Sequence, residues 1–265
     1  MILAGGAGTR LRPLSSDDEP KQFLKLFDGQ SLIQRTFARA ARVLPFESIF
    51  VSTNERYRNL VLQHLPDLPP SNVIAEPARR NTAPAIALTV FTIEQMAGPC
   101  VIASLHSDHY MSNEDAFLAL LDRAYAFAES TDYIVTIGIE PDEPSTEYGY
   151  LQLGEELAPG VIRLEHFVEK PDRETAQRFL DAGNYAWNAG IFVWRSDVFH
   201  RELEIAAPDV ARVTRENYET MPSISIDYAL MEKAPRVATI RGDFGWSDVG
   251  SFEALRKVGV KLPSS

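Results

Sequence analysis

Gly5-Gly6-Ala7-Gly8-Thr9-Arg10 follows a short apolar start, and Lys21 stands eleven residues beyond Arg10. Glycine carries no Cβ and tolerates positive φ, so a run of glycines lets backbone N–H groups close around phosphate oxygens. An arginine and a lysine within reach then supply the charge a polyphosphate needs. The combination points to a nucleotide loop; for the glycines alone, a tight turn required only by sterics is the plainer alternative. The order Gly5, Gly6, Gly8 does not give the dinucleotide fingerprint G-x-G-x-x-G, and Ser52-Thr53-Asn54 offers no acid for a ribose. No Gly-Lys-Ser/Thr follows, which excludes a P-loop.

Three further groups carry chemistry. Asp108 and Asp248 are acids far apart in the chain, and Mg²⁺ favours one or two carboxylates plus substrate phosphates over a full protein cage. Aspartate also caps helices and turns, so that reading stands beside the metal one. His106 and His109 flank Asp108, but with no further Cys/His cluster a hydrogen-bonding role is favoured over zinc. Glu169-Lys170 joins an acceptor for hydroxyls to a cation for a phosphate, and a surface ion pair would look the same locally.

The elements that must position these groups are legible from hydrophobic periodicity. Ile2-Leu3, Ile49-Phe50-Val51, Val73-Ile74, Val101-Ile102 and Ile134-Val135-Thr136-Ile137 read as strands. Ser31 with Gln34 makes a capping box, and Ile33, Phe37, Ala40, Ala41 and Leu44 follow at helical spacing. Asn113 precedes Glu114 and Asp115, and Phe117, Leu121, Ala124 and Ala128 form one stripe of a second helix. Beyond Ile139 the prolines 141 and 144 and Gly149 break the pattern. Tyr150–Leu153 and Val161–Leu164 then read as an antiparallel hairpin, with helices expected over 173–182 and 208–219 and a strand at 191–194.

This alternation implies an α/β fold, a Rossmann-like mixed, mostly parallel sheet flanked by helices, with a small antiparallel subregion. One continuous domain is expected over 1–265, its halves meeting near residue 140. The 265 residues are 45% hydrophobic, enough for a sizeable core, and their net charge of −11 argues against a nucleic-acid partner. The single Cys100, between apolar neighbours, reads as a core thiol and makes the cytoplasm the natural compartment. No secretory signal pattern opens the chain, and the weakly polar run from Thr82 to Ile93 is too short to span a bilayer, so no membrane partner is expected.

The stretch from Gly5 to Ser15, closing with Pro20-Lys21-Gln22-Phe23, resembles the signature loop of the sugar-1-phosphate nucleotidyltransferases, and the Lys-Gln-Phe ending resembles their mannose-1-phosphate guanylyltransferase branch. Segments in the same order agree: Glu76-Pro77 with Arg80–Ala85, Ser107-Asp108-His109, Tyr148-Gly149-Tyr150, Phe167–Pro171, Trp187–Phe192, Ser225–Lys233 and Asp243–Ser251. The resemblance covers nearly the whole chain. It implies the nucleotide-diphospho-sugar transferase fold and transfer of a nucleotidyl group from GTP to α-D-mannose 1-phosphate, with Mg²⁺ as cofactor. The products would be GDP-mannose and pyrophosphate.

By the same resemblance Arg10 holds the β- and γ-phosphates and Lys21 the α-phosphate. Leu3, Ala4, Gly5, Gly6, Gly8, Thr9, Asn81, Thr82 and Ser107 lie along the nucleotide, with Glu76 as the candidate reader of the guanine donors. Tyr148, Gly149, Glu169, Lys170 and Asn188 take the sugar phosphate, and Asp108 and Asp248 the metal. An N-cap role for Thr82 and core packing for Trp187 are the structural alternatives. The family commonly has glycine where this chain has Glu147, which loosens the assignment of the sugar. The chain stops where relatives often carry a further β-rich appendage, so a C-terminal β-helix is expected to be absent; a homodimer is compatible with the reading. A catalytically silent nucleotide-sugar sensor and an enzyme using another sugar 1-phosphate are the alternatives kept. A metal-dependent glycosyltransferase is disfavoured because Asp108-His109-Tyr110 stands where an Asp-x-Asp would be.

Overall fold

Ser31 caps α1 (Leu32–Ala40) reciprocally: its hydroxyl accepts from the Gln34 amide, and the Gln34 side chain accepts from the Ser31 amide at 2.9 Å. The computed structural model describes residues 1–6 and 8–260; Ala7 of the glycine loop and the last five residues lie outside them. Along the chain, α1 lies between β1 (Ile2–Leu3) and β2 (Val51–Asn54), followed by α2 (Arg58–His64), β3 (Val73–Glu76), α3 (Thr82–Ala97) and β4 (Val101–His106). Then come β5 (Tyr110–Met111), α4 (Glu114–Ser130), β6 (Ile134–Ile139), β7 (Tyr150–Ala158), β8 (Val161–Val168), α5 (Arg173–Ala182) and β9 (Tyr185–Arg195). The described chain ends with α6 (Ser196–Ala206), β10 (Val237–Arg241), β11 (Trp246–Ser247) and α7 (Phe252–Lys257).

These elements gather into two compact units. One contains Met1–Arg79, Leu105–Glu114 and the segment from Phe244 onward; the other contains Arg80–Ser104 and Asp115–Asp243. In the first unit β3, β2, β1 and the last residues of β4 pair in that order, all parallel, with Ile2 opposite both Val51 and Leu105. Ile2, Phe23, Ile33, Phe37, Val51 and Val61 form its apolar core. The carboxyl ends of these strands lead into the glycine loop after β1, into Glu76 at the end of β3 and into Ser107-Asp108 after β4, as expected for ligand loops on a parallel sheet. A small antiparallel pair, β5 with β11, fastens Tyr110 beside Ser247.

In the second unit, β9 pairs antiparallel with the first residues of β4 and with β6, while β6 and β10 are parallel. β10, β8 and β7 continue antiparallel, so the hairpin expected after Gly149 forms, and β7 also pairs with β9. The stripe Phe117, Leu121, Ala124 and Ala128 of α4 is buried. Asp172 caps α5, which ends at Gly183 in the left-handed conformation. Among the described residues, no helix is long and apolar enough to cross a membrane.

Two local expectations are corrected. The helix expected over 208–219 is two 3₁₀ turns, Val210–Arg212 and Tyr218–Thr220. Between them the Asn217 side chain accepts from the Thr214 amide at 2.7 Å, and Thr214 Oγ1 accepts from the Asn217 amide at 3.3 Å. Such side-chain bonds to nearby backbone compete with helix formation. Cys100 precedes β4 and is only partly buried, its backbone carbonyl accepting from the Ser196 amide at 2.9 Å.

Candidate functional site

In the first unit the glycine loop and Lys21 are in direct contact. Gly8 has φ +62°, and a Cβ there would meet the Lys21 amide nitrogen at 2.6 Å and the Lys21 Cβ at 2.7 Å. Only glycine satisfies both the backbone angle and the space. Gln22, itself buried, shapes the loop: its side-chain amide donates to the carbonyls of Ala4 at 2.8 Å and Gly6 at 2.9 Å. It was part of the motif but carried no role on sequence grounds. Its bonds run to backbone atoms, which residue type alone does not reveal. Leu3 pairs with Ser52 of β2 and with His106 of β4, and its carbonyl accepts from the Ser107 amide at 3.0 Å. Thr9 and Gly6 are on the surface of the loop.

The Lys21 side chain is 6% exposed, so its ammonium needs partners. Its Nζ lies 2.9 Å from Asp108 Oδ2 and donates to the backbone carbonyl of Asp248. Burial by itself would raise the Asp108 pKa, but Lys21, with His109 and His106, holds it well below the usual carboxylate range. Asp108 is therefore an anion at neutral pH. Arg10, exposed, lies 3.8 Å from Asp248 Oδ2. The other oxygen of Asp248 accepts from the Gly250 amide at 3.1 Å, and a Cβ at position 250 would meet Asp248 Oδ2 at 2.5 Å and Arg10 Nη1 at 3.0 Å. Between these residues Val249 sits at φ +45°, costly for a β-branched side chain, and is held there by full burial against Leu11, Leu32 and Leu255.

Lys21, Asp108, Asp248 and Arg10, remote in sequence, thus meet in one unit. Two carboxylates beside a lysine and an arginine match what a hard divalent cation and a polyphosphate require together, so the donor set fits Mg²⁺. Glu76 is buried at the end of β3 with its Oε1 2.8 Å from where a Gly5 Cβ would stand. A carboxylate beside the loop can accept a pair of donors from a base. His109 is buried and held well below the ordinary imidazole value, by burial first and by His106 next. The Trp246 indole donates to its Nδ1 at 3.1 Å, a hydrogen-bonding role as expected.

The second unit holds the other group. The Gly149 carbonyl accepts from the Asn188 amide at 2.8 Å, and a Cβ at 149 would come within 2.5 Å of Glu169 Oε2. Glu169 forms an ion pair with Lys170, whose φ is +47°. Burial would lower the Lys170 pKa, but Glu169 outweighs it and the ammonium is kept charged. Asn188 is buried; its Oδ1 accepts from Thr136 Oγ1 at 2.9 Å and its Nδ2 donates to Asp227 at 3.2 Å. Asp227 was not singled out from the sequence. It opens a π-helical turn, Asp227–Met231, and its pKa is pushed up to about 6 by burial and by Glu169. Tyr148 meets the buried Trp187 edge to face at 5.0 Å, which identifies Trp187 as core packing. Glu147 is exposed.

Asn81 and Thr82 belong to the second unit, whereas the other nucleotide candidates fall in the first. The N-cap of α3 is Asn81, at φ +65°, whose side chain accepts from the Thr82 amide at 2.8 Å. Thr82 Oγ1 instead accepts from the Ile226 amide at 2.8 Å. The capping role weighed for Thr82 thus falls to its neighbour.

The Nucleotidyl transferase family profile matches residues 1–265. The chain is 39% identical over 277 residues to the xanthan biosynthesis protein XanB of Xanthomonas campestris pv. campestris, covering 97% of this chain and 58% of that protein. To the mannose-1-phosphate guanylyltransferase of Sinorhizobium fredii it is 38% identical over 276 residues, covering 97% of this chain and 54% of that protein. The chain therefore spans a little over half the length of these relatives. The solved structure of a Thermus thermophilus protein, described as a mannose-1-phosphate geranyltransferase, superposes with a TM-score of 0.89 at 34% identity, covering 100% of this chain and 79% of that one.

Proposed function

The chain belongs to the nucleotidyl transferase family, and from that premise we propose that it joins GTP to α-D-mannose 1-phosphate, forming GDP-mannose and pyrophosphate. The observation that carries the proposal is Lys21, buried on Gly8 and bound to both Asp108 and the carbonyl of Asp248. A cation held beside a glycine loop and two carboxylates suits the α-phosphate of a nucleoside triphosphate. The names of the relatives support guanine and mannose as the base and sugar.

A sugar phosphate, with a second pKa near ~6, is largely dianionic at neutral pH, so no general base is needed. Its oxygen attacks the α-phosphorus in line, a new P–O bond forms, the bond to the β-phosphate oxygen breaks, and pyrophosphate leaves with the electron pair. The protein's work is positioning and charge stabilisation. Lys21 would neutralise charge at the α-phosphate and Arg10 the departing phosphates, while Glu76 would read the guanine edge. In the second unit Glu169, Asn188 and Asp227 offer hydrogen-bonding partners to sugar hydroxyls, and Lys170 a charge for the sugar phosphate. Asp108 and Asp248 would hold Mg²⁺, which when bound offsets phosphate charge as a Lewis acid.

The test is a matrix of GTP, ATP, UTP, CTP and dTTP against mannose, glucose and other sugar 1-phosphates with Mg²⁺, scored by pyrophosphate release. Release with GTP and mannose 1-phosphate above all other pairs is expected. Preference for UTP or dTTP would overturn the guanylyl assignment, and preference for another sugar the mannosyl one. No release with any pair would replace catalysis by nucleotide-sugar sensing.

A further inference from the structure

We propose that His106 is a third protein ligand of the cation held by Asp108, and that its imidazole makes the site prefer Mn²⁺ or Co²⁺ to Mg²⁺. The inference deepens the metal part of the proposed function and rests on that reading. His106 ends β4 and Asp108 follows two residues later. One ligand atom from each of His106, Asp108 and His109 lies within 4.8 Å of the others. Ligand atoms at about 2.0–2.2 Å from one cation stand about 3 Å apart when adjacent and no more than about 4.4 Å apart when opposite, so side-chain rotation must draw the pair together as the ion binds.

The three residues are not equivalent. Trp246 can only donate, so the 3.1 Å bond to His109 Nδ1 makes that nitrogen the acceptor and leaves the proton of the neutral ring on Nε2. Neither nitrogen of His109 then has a lone pair to give. The ring stacks on His106 with centroids 4.5 Å apart and planes 24° from parallel, which makes it a wall that limits how His106 turns. His106 and Asp108 remain as the ligand pair. Lys21 takes one oxygen of Asp108, but a carboxylate has about four acceptor positions, so ion pairing does not exhaust it. Mg²⁺ seeks an all-oxygen octahedron, whereas replacing one oxygen with imidazole favours metals along the Irving–Williams order.

The test reads the metal itself. Mn²⁺ is added to the protein with and without GTP, and pulsed electron paramagnetic resonance is used to look for imidazole nitrogen coupling, assigned by ¹⁵N-histidine labelling. Coupling is expected in the wild type and absent in His106→Gln. Calorimetric titrations with Co²⁺ and Mg²⁺ should show a roughly tenfold or greater loss of Co²⁺ affinity in His106→Gln while Mg²⁺ affinity stays within about twofold. No nitrogen coupling in the wild type under either condition overturns the proposal, whether or not the variant folds. Equal losses for both metals, or none for Co²⁺, would also overturn it. Because no sugar phosphate is present, these outcomes are independent of pyrophosphate release in the substrate matrix, and either result can fail without the other.

Discussion

At the scale of single residues, Lys21 is buried against Asp108 and Asp227 is buried beside Glu169. Lys21→Ala removes a cation that no other described residue replaces on Asp108 at ion-pair distance except through rearrangement. Turnover should fall by about 100-fold or more, the scale of losing one transition-state stabiliser. The KM for the sugar phosphate should change by no more than about threefold, and steady-state pyrophosphate release checks both values. Asp227 titrates in the folded protein near 6, pushed up from its usual 3.8 by burial and then by Glu169. Between these values the folded state holds a proton that the unfolded state has released, so stability falls as pH rises through that window. Below about 4 both states are protonated and above about 6 both are ionised, so the slope vanishes on either side. Asp227→Asn should abolish this slope, and denaturant unfolding at intervals from about pH 4 to 7 would measure it. Asp227 escaped the sequence reading because a carboxylate's value depends on what buries it, and its neighbours Asn188 and Glu169 are far away in the chain.

At the scale of elements, the loop between β1 and the 3₁₀ turn at Lys21 depends on a backbone conformation as much as on side chains. Gly8→Ala would add a Cβ 2.6 Å from the Lys21 amide at a residue whose φ is +62°. The expected cost is about 1–3 kcal/mol, with Lys21 displaced from Asp108 and turnover lowered beyond what the stability loss explains. Thermal unfolding together with kinetics well below the transition would separate the two effects. Elements governed by nearest neighbours were legible beforehand: the Ser31–Gln34 box, the stripe of α4 and the limits of α5 follow from residue spacing. The segment from Pro208 was not, since Thr214 and Asn217 could serve a helix or bond each other's backbone, and they do the latter.

At the scale of the whole molecule, a net charge of −11 coexists with a first unit that concentrates Lys21 and Arg10 beside its glycine loop. The cation is expected to serve the reaction and not the fold, because packed apolar cores such as the Ile2–Val61 cluster hold the unit without one. Treatment with EDTA should therefore abolish pyrophosphate release while leaving far-ultraviolet circular dichroism and the unfolding midpoint little changed, and Mg²⁺ or Mn²⁺ should restore activity. Loss of secondary structure on chelation would contradict this. The sequence alone determined which residue types could act, the α/β alternation and the loop that must contain glycine, because capping, periodicity and φ preferences operate over a few residues. Only the tertiary structure decided that Lys21 pairs with Asp108 and with Asp248, 227 positions away, that Gly149 yields its space to Glu169, and that Asn188 binds Asp227. Those contacts depend on which strands lie side by side, an outcome of burying many apolar faces at once that no local spacing encodes.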